Sequence, residues 1–459
     1  MSLADLTAIE AAGKIAAGEI RSAALVEACL ERVDRAEAEV RAWAYLDRDY
    51  ALDQARKADA AREAGMPLGP LHGVPVGIKD IFDTADMPTE FGTPLEAGRR
   101  PKRDAAVVSQ LRAAGAVIMG KTVTTELAVY TPNETRNPHD PARTPGGSSS
   151  GSAAAVAARM VPLAVGTQTN GSIIRPASYC GVIGYKPTLG RVSRRGILPQ
   201  SRHLDHVGVF AATVEDAALI ADSIAAYDDR DPDMAPSGRV KLADVALAEP
   251  PVPPMFAFVK SPAWGAAADD TREAFAEIAD FLGDQCDEVN LPEAFDRAVD
   301  YHRTIHLADM ARNYASFYER GGDRLSDPLR GQIEEGRTVR AVDYTAALDL
   351  RAVLEAGLDE VFERYDAILT PATTGEAPVG LDSTGSPVFC TLWTYVGAPA
   401  VSLPLLQGAS GMPLGVQLVG PRGDDARLLR TARWLVRAVE SGDLDDRDGG
   451  GENGERGTQ

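Results

Sequence analysis

The sequence predicts an α/β fold, and two patterns carry that prediction. Short apolar runs punctuated by Gly and Pro, at 74–78, 116–119 and 182–185, read as buried strands. Amphipathic stretches before, between and after them read as helices, so the two element types alternate along the chain. Apolar residues make up 44% and charged residues 25% of the 459 residues, the balance of a globular protein with ample material for a core. The length exceeds the roughly 100–200 residues of a common domain, although large single-core α/β enzymes depart from that rule.

Taken in order, residues 1–65 read as a helical covering layer. After Ser22, read as an N-cap, Leu25, Val26, Cys29, Leu30 and Val33 fall on one helix face, while Glu31, Arg32 and Arg35 fall elsewhere. Thr213-Val214-Glu215-Asp216 resembles a capping box with Asp in place of Glu, opening a helix that runs to Ala226. The section 230–365 is mostly amphipathic helix, of the kind that forms pocket walls, and it holds no motif tied to chemistry. Runs at 367–370, 400–403 and 415–420 read as further strands, and 427–439 as a closing helix. The stretch 441–459 is rich in Gly, Asp and Glu with a single Leu and no aromatic residue, which predicts a disordered acidic tail. No internal repeat of roughly 20–50 residues is present, which argues against solenoids and propellers.

The formal net charge of −20 disfavours nucleic acid or an anionic membrane as partner, since both need Lys and Arg to neutralise them. Cys29, Cys180, Cys286 and Cys390 are scattered with no CxxC pair, so neither a zinc knuckle nor a disulfide framework is expected. Met1-Ser2-Leu3-Ala4-Asp5 lacks the basic start and apolar run of a signal peptide. No segment reaches the ~18 uninterrupted apolar residues of a membrane span, and a cytoplasmic protein is expected.

Three segments point to chemistry. Pro145-Gly146-Gly147-Ser148-Ser149-Ser150-Gly151-Ser152 opens directly onto an Ala-rich helical run at 153–158. A Gly/Ser run is ordinarily a flexible linker, but this placement reads as a rigid turn whose hydroxyls and N–H groups face a site near a helix N-terminus. Next, Gly166-Thr167-Gln168-Thr169-Asn170-Gly171-Ser172-Ile173-Ile174-Arg175-Pro176 is a polar turn between apolar segments. It is either an ordinary strand-to-strand turn or one that holds Ser172 as a nucleophile, with the preceding N–H groups converging on a developing oxyanion.

A serine nucleophile needs a base, most often histidine. His72, His139, His203 and His206 lie in turns or loops without the context of a catalytic partner. His302 and His306 stand one helical turn apart, but without HExxH or a nearby Cys they read as packed or solvated helix histidines, not metal ligands. A GxxxxGK[ST] phosphate loop is also missing. Lys79 remains, at the end of the apolar run 74–78. Most lysines are exposed, but one that ends a buried strand has its pKa pulled down from about 10.4 and becomes a base.

Together, Lys79, the GGSSSGS turn and the GTQTNGS turn resemble the amidase signature family, whose members hydrolyse amides through a Ser–cis-Ser–Lys triad. The resemblance extends through 72–80, 135–138, 180–187 and 415–420, and so covers nearly the whole chain except its tail. It implies a mixed β-sheet core flanked by many helices, in a single domain over 1–440 with the catalytic signature in 66–215. It further implies that Ser172 is the nucleophile, Ser148 a bridging serine with a cis peptide bond, and Lys79 the base. The oxyanion hole is then the N–H groups of Thr169, Asn170, Gly171 and Ser172, with Ser149 and Gln168 in supporting places. No metal or organic cofactor is required.

Where many members read GTDTGGSIR, this chain has Gln168, Asn170 and Ile174, with Arg175 one place late. The backbone donor survives at Asn170, while an Asp–Arg pair that supports the loop elsewhere is lost or rebuilt. The reaction this implies is an acyl transfer: Lys79 draws a proton through Ser148 from Ser172, and the relay returns it to the leaving nitrogen. The expected substrate is a small amide, anilide or carbamate (urethane), held by a monomer or homodimer. Phe389, Leu392, Trp393 and Tyr395 either line its pocket or belong to the core. Two alternatives accompany this reading. One is a glutaminase-type subunit of an amidotransferase complex, which the acidic balance and lack of a basic RNA-binding patch disfavour. The other is a non-catalytic binding protein on the same fold, which the intact triad disfavours.

Overall fold

The computed structural model describes residues 2–236, 238, 241–442 and 444. The chain opens with α1 (Ala8–Ala17), α2 (Ser22–Val40), β1 (Trp43–Leu46), α3 (Arg48–Glu63) and β2 (Pro75–Lys79). It continues through α4 (Ala106–Ala113), β3 (Val117–Thr122), α5 (Ser150–Ala157), β4 (Leu163–Gln168), α6 (Ile174–Cys180), β5 (Ile183–Lys186) and β6 (His206–Ala211). Then follow α7 (Val214–Ile224), α8 (Leu242–Leu247), β7 (Phe256–Val259), α9 (Asp269–Leu282), β8 (Cys286–Val289) and α10 (Ala298–Asn313). The last third holds α11 (Ala315–Gly321), α12 (Asp327–Gly336), α13 (Ala341–Phe362), β9 (Ala367–Pro371), α14 (Val388–Tyr395), β10 (Ala400–Gln407), β11 (Pro413–Val419) and α15 (Asp425–Ser441).

All eleven strands join one sheet, in the order β1-β3-β2-β4-β6-β5-β10-β11-β9-β7-β8. The sheet is mixed: β2 runs parallel to β3 and β4, and β7 parallel to β8 and β9, while the other neighbours are antiparallel. Strands β2 to β6 are buried along their whole length, because helices cover both faces, which accounts for the apolar runs at 74–78, 116–119 and 182–185 in β2, β3 and β5. Strands β4 and β6 are not foreseen, and residues 166–168, read as part of a polar turn, are the end of β4. Since β2 and β4 are parallel neighbours, with Ile78 opposite Val165, their carboxyl ends open on the same side. Ligand sites of α/β sheets lie at such ends.

The N-terminal layer is not wholly helical. Trp43–Leu46 forms β1 on the sheet edge against β3, a strand of four residues between two helices and too short to carry a period. Ser22 is the first residue of α2 and not its cap. The Asp59 carboxylate, from α3, accepts from Ser22 N at 2.7 Å and Ala23 N at 3.1 Å, and the Ser22 hydroxyl donates to Gly73 O. Thr213 does cap α7, accepting from Asp216 N at 3.1 Å. The Asp216 carboxylate caps the start of α1 instead, accepting from Ala8 N at 2.8 Å and Ile9 N at 2.9 Å.

The section 230–365 is mostly helix, and its two strands, β7 and β8, complete one edge of the sheet. Phe389, Leu392, Trp393 and Tyr395 are all buried on α14 and belong to the core. The tail expected at 441–459 lies outside the described residues except for its first few positions. Among the described residues no helix is long and apolar enough to cross a membrane.

Candidate active site

Lys79 closes β2, and its side chain is completely buried. Its Nζ lies 2.8 Å from Ser148 Oγ and 2.9 Å from Thr167 Oγ1, the latter near the carboxyl end of β4. It makes no ion pair among the described residues. Burial drives its pKa well below 10.5, against a smaller upward pull from the charge of Asp205. With the amine neutral, the contact to Ser148 can run in reverse, the hydroxyl donating to the Nζ lone pair. Lys121, one strand over, is buried too, but it has a counterion: Asp80 Oδ1 stands at 3.2 Å. Lys121 also donates to Thr89 Oγ1 and Phe82 O.

The turn before α5 places Ser148 at Lys79. The Gly147–Ser148 peptide bond is cis, as the resemblance implies. Neither glycine before Ser148 has room for a side chain: a Cβ at Gly146 would meet Pro176 Cα at 2.9 Å, and one at Gly147 would meet Thr384 Cγ2 at 2.7 Å. Ser149 stitches the turn to β4, its Oγ accepting from Thr167 N at 3.3 Å and donating to Thr167 O at 3.2 Å. Arg175, fully buried on α6, clamps the turn from the other side, donating to Gly147 O at 2.7 Å, Gly385 O at 2.9 Å and Thr384 Oγ1 at 3.1 Å. The residues that bracket Ser172 thus grip the turn that carries Ser148.

The loop from β4 to α6 is tied across its base by Gln168. Its Oε1 accepts from Ile173 N at 2.8 Å and Ile174 N at 3.0 Å, and its Nε2 donates to Thr394 Oγ1 at 2.9 Å. The support expected of an Asp–Arg pair is therefore rebuilt with a neutral amide, and Arg175 is turned away to the cis peptide. Within the loop three successive carbonyls are engaged. Thr169 O accepts from His302 Nε2 at 2.9 Å, Asn170 O from Thr394 Oγ1 at 2.5 Å, and Gly171 O from Arg175 N at 2.9 Å. The N–H groups of Thr169, Asn170, Gly171 and Ser172 donate to no acceptor among the described residues, so four successive donors stand unpaired there.

Side chains fix the loop as well. Thr169 Oγ1 donates to Asp205 Oδ1 at 2.6 Å, and Asp205, its pKa raised to about 6 by burial, also accepts from Gln200 N and Ser201 N. Asn170 bridges two elements, donating from Nδ2 to Tyr130 OH at 3.1 Å and accepting at Oδ1 from Thr391 Oγ1 at 2.7 Å. Ser172 is half-buried and its hydroxyl bonds to no described group. Such contacts commonly tighten only when substrate binds.

A desolvated amine beside a hydroxyl, next to a loop of unpaired N–H donors, is equipped for acyl transfer through a serine. Among the described residues no group of three His, Cys, Asp or Glu side chains is placed to hold a metal ion. Comparison with known proteins gives the arrangement its context. The sequence profile of the family described as Amidase matches residues 24–429. The chain belongs to the amidase signature family.

Among its relatives, a glutamyl-tRNA(Gln) amidotransferase subunit of Chloroflexus aurantiacus is 36% identical, the match covering 95% of this chain and 97% of that protein. Among solved structures, the peptide amidase of Stenotrophomonas maltophilia superimposes with a TM-score of 0.82 at 28% identity, covering 95% of this chain and 97% of that one. An inhibitor-bound chain from a vestigial protein complex, described as revealing the origins of an s-triazine catabolic enzyme, gives a TM-score of 0.88 at 28% identity, covering 95% and 99%. The chain is thus an amidase-family hydrolase acting on carbon–nitrogen bonds.

Sequence reasoning brings together Lys79, Ser148, Ser149, Gln168 and the 169–172 loop, but it misses the groups that hold them, Asp205, Tyr130 and Thr391 on the loop among them. Thr167, the second partner of Lys79, sits within the quoted motif and is signalled only by its place beside the strand end. Thr394 is hidden in an apolar helix. His302, read as merely packed or solvated, is packed, and it also reaches the loop from 133 residues away.

Proposed function

We propose that this amidase-family chain hydrolyses a carboxamide through an acyl-enzyme on Ser172, with neutral Lys79 drawing the proton through Ser148. The observation that carries the reading is the 2.8 Å contact from Lys79 Nζ to Ser148 Oγ, made by a buried amine without a counterion. Ser172 Oγ attacks the acyl carbon, and the carbonyl oxygen gathers negative charge against the N–H groups of residues 169–172. The proton taken by the relay goes to the leaving nitrogen, which departs as ammonia or an amine. Water then attacks the ester, using the same base, and frees the acid.

On substrate, the sequence relatives weigh toward a glutaminase-type subunit that releases ammonia from glutamine inside an amidotransferase, and that reading takes precedence. One observation favours the second reading, a small neutral amide, anilide or carbamate. A free amino acid needs charged partners for its ammonium and carboxylate. Of the side chains that hydrogen-bond to residues 169–171, namely Asp205, His302, Tyr130, Thr391 and Thr394, only Asp205 is a carboxylate, and its bonds go to Thr169, Gln200 and Ser201.

The test is ammonia or amine release from glutamine, propionamide, acetanilide and ethyl carbamate, by the chain alone and by the chain with proteins copurified from its native extract. Glutamine turnover that needs the copurified proteins supports the amidotransferase reading. Turnover of neutral amides by the chain alone supports the second reading. Activity that persists in Ser172→Ala overturns both.

A further inference from the structure

We infer that His302 is a positioning residue that orients the oxyanion hole, a role that rests on the acyl-enzyme reading above. In a trans peptide unit the carbonyl and the next N–H point in opposite directions from one rigid plane. Holding the carbonyl therefore aims the donor. His302 Nε2 holds Thr169 O at 2.9 Å, so the N–H of Asn170 is turned to the opposite side, where it meets no acceptor among the described residues. Thr394 aims Gly171 N–H by the same device, and the first turn of α6 aims Ser172 N–H through Arg175 N.

Of these three supports only the first comes from the helical section 230–365, and only it rests on a titratable side chain. A carbonyl can only accept, so the His302 proton sits on Nε2. Burial pushes the His302 pKa down to about 4, so the ring is neutral near pH 7 and that assignment is kept. The ring is completely enclosed and stands edge-on to His306, with centroids 5.6 Å apart. His306 in turn stands edge-on to Tyr130 at 6.4 Å, and Tyr130 OH accepts from the Asn170 side chain. Helix α10 thus controls residue 170 twice, its peptide plane directly and its side chain through Tyr130.

The position matters because this chain carries Asn where many family members carry Gly. Without the His302 bond the 169–170 peptide can turn and present a carbonyl dipole to the developing anion. Removing one oxyanion-hole donor typically costs about 10²–10³ in rate.

The experiment is the second-order rate at which a fluorophosphonate labels Ser172, since the phosphoryl oxygen of that probe needs the same donors and no substrate need be known. His302→Phe keeps a ring but loses the donor, whereas His302→Gln places an amide N–H near the position of Nε2. The expected result is a fall of about 100-fold for His302→Phe, substantial recovery in His302→Gln, and an unchanged pH midpoint of labelling, which reports Lys79. Wild-type labelling by folded His302→Phe overturns the role, and so does a His302→Gln variant that is folded but equally slow. Should His302→Phe fail to fold, His302→Asn, too short to reach Thr169 O, takes its place against His302→Gln. Labelling that persists in Ser172→Ala sinks the acyl-enzyme reading instead, whereas Ser172-specific labelling indifferent to residue 302 sinks only this inference.

Discussion

Lys79 Nζ meets Ser148 Oγ at 2.8 Å without a carboxylate in ion-pair range, while Lys121, on the adjacent strand, is neutralised by Asp80 at 3.2 Å. Two buried lysines on neighbouring strands therefore have opposite surroundings. Burying an ammonium without a counterion is so unfavourable that the group gives up its proton. In the mechanism proposed above Lys79 is the base, whereas Lys121 holds the segment after β2 through Phe82 O and Thr89 Oγ1.

The pH dependence follows from that difference. In the folded chain Lys79 loses its proton well below 10.5, so activity is expected to rise with pH through this lowered pKa and to fall in acid. In the unfolded chain the same lysine keeps its proton up to about 10.4. Between the two values the unfolded state binds the extra proton, so this group makes folding stability rise with pH across that window. Lys79→Met is expected to flatten that slope in thermal unfolding at several pH values. Lys79→Ala is expected to lose about 10²–10⁴ of turnover while staying folded, and unchanged turnover would refute the base assignment.

Gln168 supplies a second prediction. Gln168→Leu strands the buried N–H groups of Ile173 and Ile174 and removes a partner of Thr394. Leaving a buried donor unsatisfied costs about 1–3 kcal/mol. The midpoint of urea unfolding should fall accordingly, and Gln168→Glu, which keeps the acceptor, should fall less. Equal midpoints for Gln168→Leu and the parent would show that the loop does not depend on this tie.

Gly171 supplies a third. A Cβ there would lie 2.9 Å from Pro387 Cβ and 3.2 Å from Cys390 Sγ, pressing the loop away from α14. Overpacking of this kind costs about 1–3 kcal/mol, and Gly171→Ala is expected to lose both stability and Ser172 reactivity. Gly13→Ala is the control: it meets nothing within 4 Å on α1 and should stabilise by up to about 1 kcal/mol. Normal reactivity in Gly171→Ala would mean that the loop tolerates displacement.

Strands β2, β3, β5, β9, β10 and β11 are legible in the sequence because each holds a short apolar run bounded by Gly, Pro or a charge such as Lys79. In contrast, β4 ends in Gly166-Thr167-Gln168, which reads as part of a polar turn, β6 goes unread, and β7 and β8 lie in the section read as mostly helix. The two Gly/Ser-rich turns are legible because their composition is local. What escapes is whatever depends on distant contacts. His302 and Thr394 meet the loop only through folding, and nothing in their own neighbourhoods marks them. Strand β1 escapes because four residues between two helices carry no period, and Asp59 rather than Ser22 caps α2 because the cap comes from another helix. The Gln168 and Arg175 departures are visible as departures, but only the fold reveals that a neutral amide now ties the loop and that the arginine holds the cis peptide.

The most direct measurement is to treat the folded protein with a fluorophosphonate and locate the adduct by peptide mass spectrometry, with Ser172→Ala and Lys79→Ala alongside. One adduct is expected, on Ser172, absent from Ser172→Ala and formed far more slowly in Lys79→Ala. An adduct on another serine, or none at all in well-folded protein, would contradict the acyl-enzyme mechanism.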